Sequence, residues 1–273
     1  MSYRRILLIA AVAATISCGG APRSKPSADP VTNDGGPVRF NVLEVSAQGP
    51  ECGSSTARCA RVRVSYLETT GGGMPAVRNN LDLYIRHDLV GRLRGYVQEE
   101  VGNRLNRPEE LTAAFLAEHR AFVQEFPDAT ADWSIDIAVD AIYNSAKVVT
   151  LDITESAYTG GAHPNSRRQL ATFEVPTGQF LGVDDLAVDV AGLTRIVEER
   201  FRRARNLGED EDLAAAGFWF TDKRFTLPDN IGVVSDGMIF HWNAYEIAPY
   251  SMGATSLLVS ASDLGEVVTV DWW

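Results

Sequence analysis

The sequence predicts an α+β fold, with antiparallel strand hairpins, a few amphipathic helices packed on the sheets, and two closely associated subdomains. Three observations lead to this class. Several short segments alternate apolar and polar residues, as half-buried strands do, and two longer segments repeat apolar residues with helical spacing. The helices are also gathered into blocks and do not alternate with single strands, which argues against a βαβ fold.

The first two predicted strands are residues 38–45 and 60–68, which both alternate apolar and polar side chains. The short segment between them contains Cys52 and Cys59, so the strands are expected to form a hairpin. If the protein is exported, as the N-terminal segment described below predicts, this cysteine spacing predicts a disulfide that closes a small loop. A metal site is the alternative, but no histidine lies nearby and there is no second cysteine pair.

Two helices are predicted next. Pro75 opens the first, whose apolar stripe begins at Val77 and continues with helical spacing as far as Val101. The second runs from Pro108 to Phe126, because proline suits a first turn and the glutamates that follow it suit a helix N-terminus.

The remaining elements follow from the same patterns. Residues 133–143 and 148–156 alternate well and are expected to pair across the turn at Asn144–Ser145. A strand at 167–175 and a helix at about 193–205 come next. Further short strands are predicted at 218–220, at Phe225, at 238–242 and at 256–260, with a hairpin turn at 235–237.

The N-terminus resembles a bacterial lipoprotein signal. Arg4 and Arg5 precede a short apolar run, and the small residue Ser17 comes directly before Cys18, as in a lipobox. The run is too short to span a bilayer as a helix. Residues 1–17 are therefore predicted to be a signal peptide and Cys18 the lipidation site. An ordinary secretory signal cleaved near the same place is the alternative.

Residues 18–37 are predicted to be a flexible tether, because they are rich in Gly, Pro, Ser and Asp and poor in large apolar side chains. The residue after Cys18 is glycine, whereas aspartate there is the usual inner-membrane retention signal of such lipoproteins. The prediction is therefore a lipid-anchored protein of the cell envelope, on the periplasmic face of the outer membrane in preference to the inner membrane.

The chain is acidic, with 36 Asp and Glu against 25 Lys and Arg and a formal net charge of −11. This charge argues against nucleic acid as a partner and against direct adhesion to anionic lipid, and it favours a cationic partner. Plain solubility is the alternative explanation. The membrane is expected to be reached through the lipid anchor only.

Histidine is the side chain that most often serves as a catalytic acid or base. The four histidines are scattered, His119 is expected to be solvated on its helix, and no nucleophile elbow or metalloprotease motif is present. No catalytic residue, metal or cofactor is predicted. Tyr158, Gly160, Gly161 and His163 form a glycine-rich segment that is either a tight turn or a direct ligand contact.

A second candidate segment contains Tyr245, Glu246 and Tyr250. Two aromatic rings beside a carboxylate suit a sugar or a protein contact, and the alternative is a structured loop whose tyrosines pack inward. Trp219 and Trp242 are expected in the core, because apolar residues flank them. Trp272–Trp273 is either an exposed tail or a final strand.

Two motifs resemble a known family, namely the RsiV-like and PdaC-like paired domains. The first is Tyr-Thr-Gly-Gly-Ala-His at 158–163, and the second is Tyr-Glu-Ile-Ala-Pro-Tyr at 245–250. These domains occur in the extracellular part of the RsiV anti-sigma factor, beside the catalytic domain of the PdaC peptidoglycan deacetylase, and in many bacterial lipoproteins. The resemblance implies an N-terminal domain at 38–174 and a C-terminal domain at 175–273.

The resemblance implies less about function than about the domains. RsiV binds lysozyme through this region, but only five residues precede the apolar run here, so no anti-sigma segment is expected. No room for the PdaC catalytic domain is expected either. The prediction is a non-enzymatic envelope lipoprotein that binds a lysozyme-type cationic protein. Peptidoglycan or another glycan is the alternative ligand, and an enzyme acting on cell-wall polymer through His163 is the rival class.

Overall fold

The computed structural model describes residues 35–50, 52–53, 58–128, 132–269 and 272. The predicted signal peptide, Cys18, the tether up to residue 34 and Trp273 lie outside these residues. All the described residues belong to one unit of structure. It contains two β-sheets with helices packed on them, which confirms the predicted α+β class.

The first sheet has six strands in the order β1 to β6. Its strands are β1 Arg39–Gln48, β2 Ala60–Gly71, β3 Trp133–Asn144, β4 Val148–Tyr158, β5 Asn165–Glu174 and β6 Phe180–Leu181. The predicted hairpin of β1 and β2 is confirmed, and β3, β4 and β5 form an antiparallel meander.

One pairing departs from the predicted antiparallel pattern, because β2 and β3 run parallel, with Val62 opposite Ile135 and Val64 opposite Ile137. A parallel pair needs a long connection. Here it consists of the helices α1 Pro75–Arg94, α2 Glu99–Gly102 and α3 Pro108–Glu125. The helical block therefore serves as the crossover between two neighbouring strands.

The first hydrophobic core lies between this sheet and the helices. Alternation along the strands turns Val64, Ile137 and Ile153 to one face, where they are almost fully buried with Leu81 and Leu89 of α1. The burial of such side chains is the main stabilising contribution of this layer, about 1.5–3 kcal/mol for each.

The first helix is shorter than predicted, because the apolar stripe continues to Val101 but the helix does not. The helix α1 ends at Arg94, Gly95 follows it, and the amide of Tyr96 donates to the carbonyl of Leu93 at 3.1 Å in a tightened last turn. Val101 then lies on the separate short helix α2. The expectation for His119 was also wrong, because only 2% of this residue is exposed and its ring packs 5.2 Å from that of Trp133.

The second sheet is antiparallel, with β7 Ile231–Val234, β8 Gly237–Trp242 and β9 Thr255–Ser260. It packs with α4 Val183–Leu186, α5 Val190–Ala204 and α6 Ala261–Leu264, and short 3-10 turns occur at Thr221–Lys223, Tyr250–Met252 and Gly265–Val267. The predicted strands at 218–220 and Phe225 are not formed. Phe218, Phe220 and Phe225 instead surround the ring of Phe201 of α5 in the second core.

The two sheets make direct contact. A Cβ atom added to Gly232 of β7 would lie 3.0 Å from Thr150 and 3.2 Å from Leu170 of the first sheet. Asn230 joins the sheets through its side chain, which accepts from the amide of Leu170 at 2.6 Å and donates to the carbonyl of Arg168 at 2.7 Å. The sheets therefore approach closely enough that only glycine fits without adjustment at this point.

One local feature modifies the predicted pattern of alternation. A bulge between Ala141 and Tyr143 shifts the register of β3, so that Tyr143 packs against the second core and not the first. The predicted disulfide between Cys52 and Cys59 is present. The domain boundary at 174/175 stays a prediction, although β6, which lies after it, completes the first sheet.

Candidate functional site

A cleft of about 800 Å³ opens between α1, the adjoining ends of β4 and β5, and the segment 243–250 that follows β8. We call it the central cleft. Its volume lies within the range of about 300–1,000 Å³ that is typical of small-ligand sites. Helix, sheet and loop each contribute to its wall, notably through Arg92, Tyr96, Glu155, Arg167, Tyr245 and Tyr250.

The segment Tyr158–His163 is a tight turn that leads out of β4. Gly160 and Gly161 have φ angles of +96° and +116°, which residues with a side chain rarely adopt. The hydroxyl of Tyr158 donates to the carbonyl of Gly161 at 2.9 Å and closes the turn. Tyr158, Gly160 and Gly161 therefore shape the backbone that positions His163.

His163 meets the two tyrosines of the other candidate segment. Its ring stacks on Tyr250 with centroids 3.7 Å apart and an angle of 11° between the planes, and the rings of Tyr245 and Tyr250 lie 5.5 Å apart. The tyrosines are 57% and 38% exposed, so the alternative that they pack inward is wrong. We call His163, Tyr245 and Tyr250 the aromatic rim; the two tyrosines line the cleft, and His163, which is not among the lining residues, stacks on Tyr250.

His163 makes polar contacts with a backbone carbonyl and with a tyrosine. Nδ1 lies 3.0 Å from the carbonyl oxygen of Pro164, which can only accept, so Nδ1 carries a proton. Nε2 lies 3.4 Å from the hydroxyl oxygen of Tyr245, a long contact. A carbonyl and a hydroxyl are thus the partners of this imidazole, whereas a catalytic histidine is usually oriented by a carboxylate.

The backbone of the loop is held in place by polar side chains. The carboxylate of Glu246 accepts from the amide and the side chain of Asn243 at 2.8 and 3.0 Å. Asn243 in turn accepts from the amide of Arg168 in β5 at 2.7 Å. Tyr245, which lies between Asn243 and Glu246 in the sequence, has a φ of +70°. This value is strained for a bulky residue, and such strain is typical of functional loops. Glu246 thus supports the loop while it lines the cleft.

The cleft floor contains a charged network that the sequence analysis missed. Arg92 of α1 donates at 2.6 Å to both Asp88 and Glu155 and at 2.7 Å to Gln169. The side chains of Arg92, Asp88 and Glu155 are only 7%, 16% and 10% exposed. The i, i+4 spacing of Asp88 and Arg92 was a visible signal. Glu155 lies far away in the sequence, and folding brings it to the pair.

Two shifted pKa values mark the same floor. Burial, followed by the hydrogen bond and negative charge of Glu155, raises the pKa of Tyr96 well above its ordinary value, so its hydroxyl stays protonated and donates to that carboxylate. Burial opposes the charge on Arg92, but the hydrogen bonds and charges of Asp88 and Glu155 outweigh it and raise the pKa. The floor is therefore a preorganised surface in which a charged guanidinium and a protonated phenol both donate to the carboxylate of Glu155.

The described residues contain no group of three or more His, Cys, Asp or Glu side chains arranged to hold a metal ion. Among the helices described, none is long and apolar enough to cross a membrane.

Two family profiles match the chain. Residues 54–166 match the family described as deacetylase PdaC, and residues 184–262 match DUF3298, a protein family of unknown function. The paired arrangement suggested by the sequence motifs is thereby confirmed. The first match contains His163, and the second contains Tyr245 and Tyr250, so the aromatic rim forms where the two matched segments meet.

Solved structures show the same fold. A DUF3298 family protein from Bacteroides fragilis NCTC 9343 is 15% identical, with a TM-score of 0.65 over 85% of this chain and 94% of that chain. A second DUF3298 family protein, from Pseudomonas aeruginosa PAO1, is 18% identical, with a TM-score of 0.56 over 85% of this chain and 95% of that chain. No protein of curated function matches the chain.

Proposed function

We propose that this chain, which joins a PdaC-like segment to a DUF3298 segment, is a non-enzymatic binding protein of the bacterial cell envelope. We propose further that its central cleft binds a cell-wall glycan. The observation that carries the proposal is the aromatic rim, in which two exposed tyrosines are held beside a polar cleft by contacts between the two matched segments.

A saccharide suits both parts of this surface. The C–H face of a sugar ring packs on aromatic rings, and Tyr245 and Tyr250 offer such area at low entropy cost. Sugar hydroxyls and amides need donors and acceptors, and Asn165, Ser166 and Arg167 present exposed polar groups on the cleft wall. The hydrogen bonds of Arg92 with Asp88, Glu155 and Gln169 already hold the cleft floor in shape, so a ligand can bind without rearranging it.

The partners of His163 support a binding role in preference to catalysis. A general base needs its proton acceptor free toward the substrate and a group that orients the imidazole. Here Nε2 faces the hydroxyl of Tyr245 and one ring face is covered by Tyr250. His163 is thus held as part of the aromatic rim.

Calorimetric titration with muropeptides, the repeating disaccharide units of peptidoglycan with their peptides, tests the proposal. Tyr250→Ala removes the stacking partner of His163, and we expect binding to weaken about tenfold or more, as for an aromatic anchor. Phe126→Ala is the matched control, because Phe126 is a 49% exposed aromatic residue at the end of α3. Equal binding by the wild type and Tyr250→Ala would contradict the proposal, as would muropeptide turnover that His163→Ala abolishes.

A lysozyme-type cationic protein is the second candidate ligand, and the net charge of −11 favours it. Electrostatic association of this kind weakens steeply with ionic strength. We therefore expect capture of lysozyme by this protein at low salt to be lost at high salt. Salt-independent binding, or none, counts against this candidate. Binding that survives Tyr250→Ala would place the protein partner outside the aromatic rim.

We also propose export and lipid anchoring through Cys18, with the folded part on the periplasmic face of the outer membrane. The support is the short apolar run that ends at this cysteine and the glycine that follows it. Fractionation of cells that express the wild type and Cys18→Ala tests this proposal. We expect the wild type in the outer-membrane fraction and the variant outside it.

A further inference from the structure

Trp219 is an exposed tryptophan between two buried aromatic residues. The extended segment places Phe218 and Phe220 in the second core, at 3% and 6% exposed, whereas Trp219 between them is 50% exposed. The expectation that Trp219 belongs to the core was therefore wrong. Alternation along extended backbone explains this outcome, because two core neighbours force the central side chain to the opposite face.

Two hydrogen bonds hold Trp219 against the loop of the aromatic rim. Its amide donates to the carbonyl of Ile247 at 2.9 Å, and its indole Nε1 donates to the carbonyl of Glu246 at 3.0 Å. The only polar group of the indole is thus satisfied by the protein, and the exposed part of the ring is apolar. A large apolar ring fixed at the surface presents binding area whose orientation is already set.

Glu246 connects this ring with the central cleft. Its carbonyl accepts from Trp219, while the residue itself lines the cleft beside Tyr245. Trp219 is not part of the cleft lining. A ligand confined to the cleft would not touch it, whereas Glu246 links the cleft lining to the indole by a direct hydrogen bond.

We propose that Trp219 is a second aromatic platform that binds a further sugar of the same glycan chain, outside the central cleft. The inference rests on the proposed function and deepens it: the preferred ligand is an oligosaccharide longer than the cleft, not a free disaccharide. Once one end of the glycan is bound in the cleft, its contact with Trp219 becomes an intramolecular step. The second contact therefore raises the affinity without any change in the cleft.

The test compares ligand lengths. The mature protein, purified in detergent, is titrated with a disaccharide of N-acetylglucosamine and N-acetylmuramic acid and with longer oligomers of the same repeat. We expect the longer oligomers to bind the wild type at least tenfold more tightly and to quench its tryptophan fluorescence. In Trp219→Ala this advantage should disappear while disaccharide affinity stays unchanged, and Trp219→Phe should retain most of it. Leu258→Ala is the control, since Leu258 is a 57% exposed apolar residue on β9.

The outcomes separate the two proposals. Length-dependent binding that is equal in the wild type, Trp219→Ala and Trp219→Phe overturns the platform and leaves the glycan cleft intact. Absence of binding by the wild type to every oligomer overturns the proposed function itself, and the platform with it. Unchanged disaccharide affinity shows that Trp219→Ala is folded, and Trp219→Phe keeps the test available if the alanine variant does not fold.

Discussion

Replacement of Arg92 by methionine is the sharpest test of how the cleft floor is held. Methionine keeps much of the side-chain volume and removes the charge and all the donors. Arg92 donates to Asp88, Glu155 and Gln169, and the two carboxylates are 16% and 10% exposed. The change would leave two neighbouring carboxylates without their common cation in a poorly hydrated place.

The expected magnitude follows from this burial. Removing one partner of a buried ion pair costs about 3–5 kcal/mol, because the charge left behind is neither solvated nor paired. The cleft admits water to one side of the network, so we expect about 3 kcal/mol, the lower end of this range. For comparison, the pair of Arg203 and Glu199 on α5 has the same i, i+4 spacing but is 64% and 58% exposed. Arg203→Met should cost about 0–1 kcal/mol.

Urea unfolding measured by circular dichroism gives the free energy of unfolding of each variant. The double variant Arg92→Met with Glu155→Gln completes a cycle, and we expect it to recover about 1–3 kcal/mol relative to the sum of the single changes. A loss below about 1 kcal/mol in Arg92→Met, similar to that in Arg203→Met, would refute the reasoning. It would mean that water screens the floor as it screens the surface pair.

Three further predictions address the core, the sheet contact and the anchor. Burial lowers the pKa of His241 below its ordinary value of 6.5, so the unfolded chain binds the proton more tightly than the folded one. Stability should therefore fall as the pH drops below that value. Thermal melts of His241→Gln should show a smaller fall with pH, and a fall equal to that of the wild type would contradict this prediction. Gly232→Val should destabilise the protein by about 1–3 kcal/mol through overpacking between the sheets. Gly91→Ala, with open space around the new methyl group, should stabilise it by about 0.5–1 kcal/mol. Equal effects of the two changes in urea unfolding would contradict the close contact between the sheets. Metabolic labelling with a palmitate analogue should mark the wild type and not Cys18→Ala, and label on both would exclude Cys18 as the lipid site.

The regular elements were predictable because their signals are local. Two-residue alternation identified β3 and β4, and proline with acidic residues identified the start of α3. The features that were missed depend on tertiary contacts. The parallel pairing of β2 with β3 requires the helices to cross between them, and the bulge that turns Tyr143 to the second core breaks the alternation on which the prediction relied.

The candidate site likewise contains residues that local signals identified and residues that only tertiary contacts bring together. The segment of His163 and the segment of Tyr245 and Tyr250 were identified separately, because glycines, aromatic rings and a proline mark them in the sequence. Trp219 was assigned wrongly, since apolar neighbours indicate burial only for the side chains that share their face. Arg92 and its partners were missed, because charged residues on a helix usually face solvent and only the fold covers these.

By itself, the sequence determined the class of the fold, the disulfide and the segments that carry the candidate site, because each depends on residues close together in the chain. Only the tertiary structure decided that His163 would stack on Tyr250, that Glu155 would reach Arg92, and that Trp219 would face outward. These contacts join residues many positions apart, whose distances are set by the packing of two sheets and their helices. No local pattern encodes that packing, and the cleft exists only because of it.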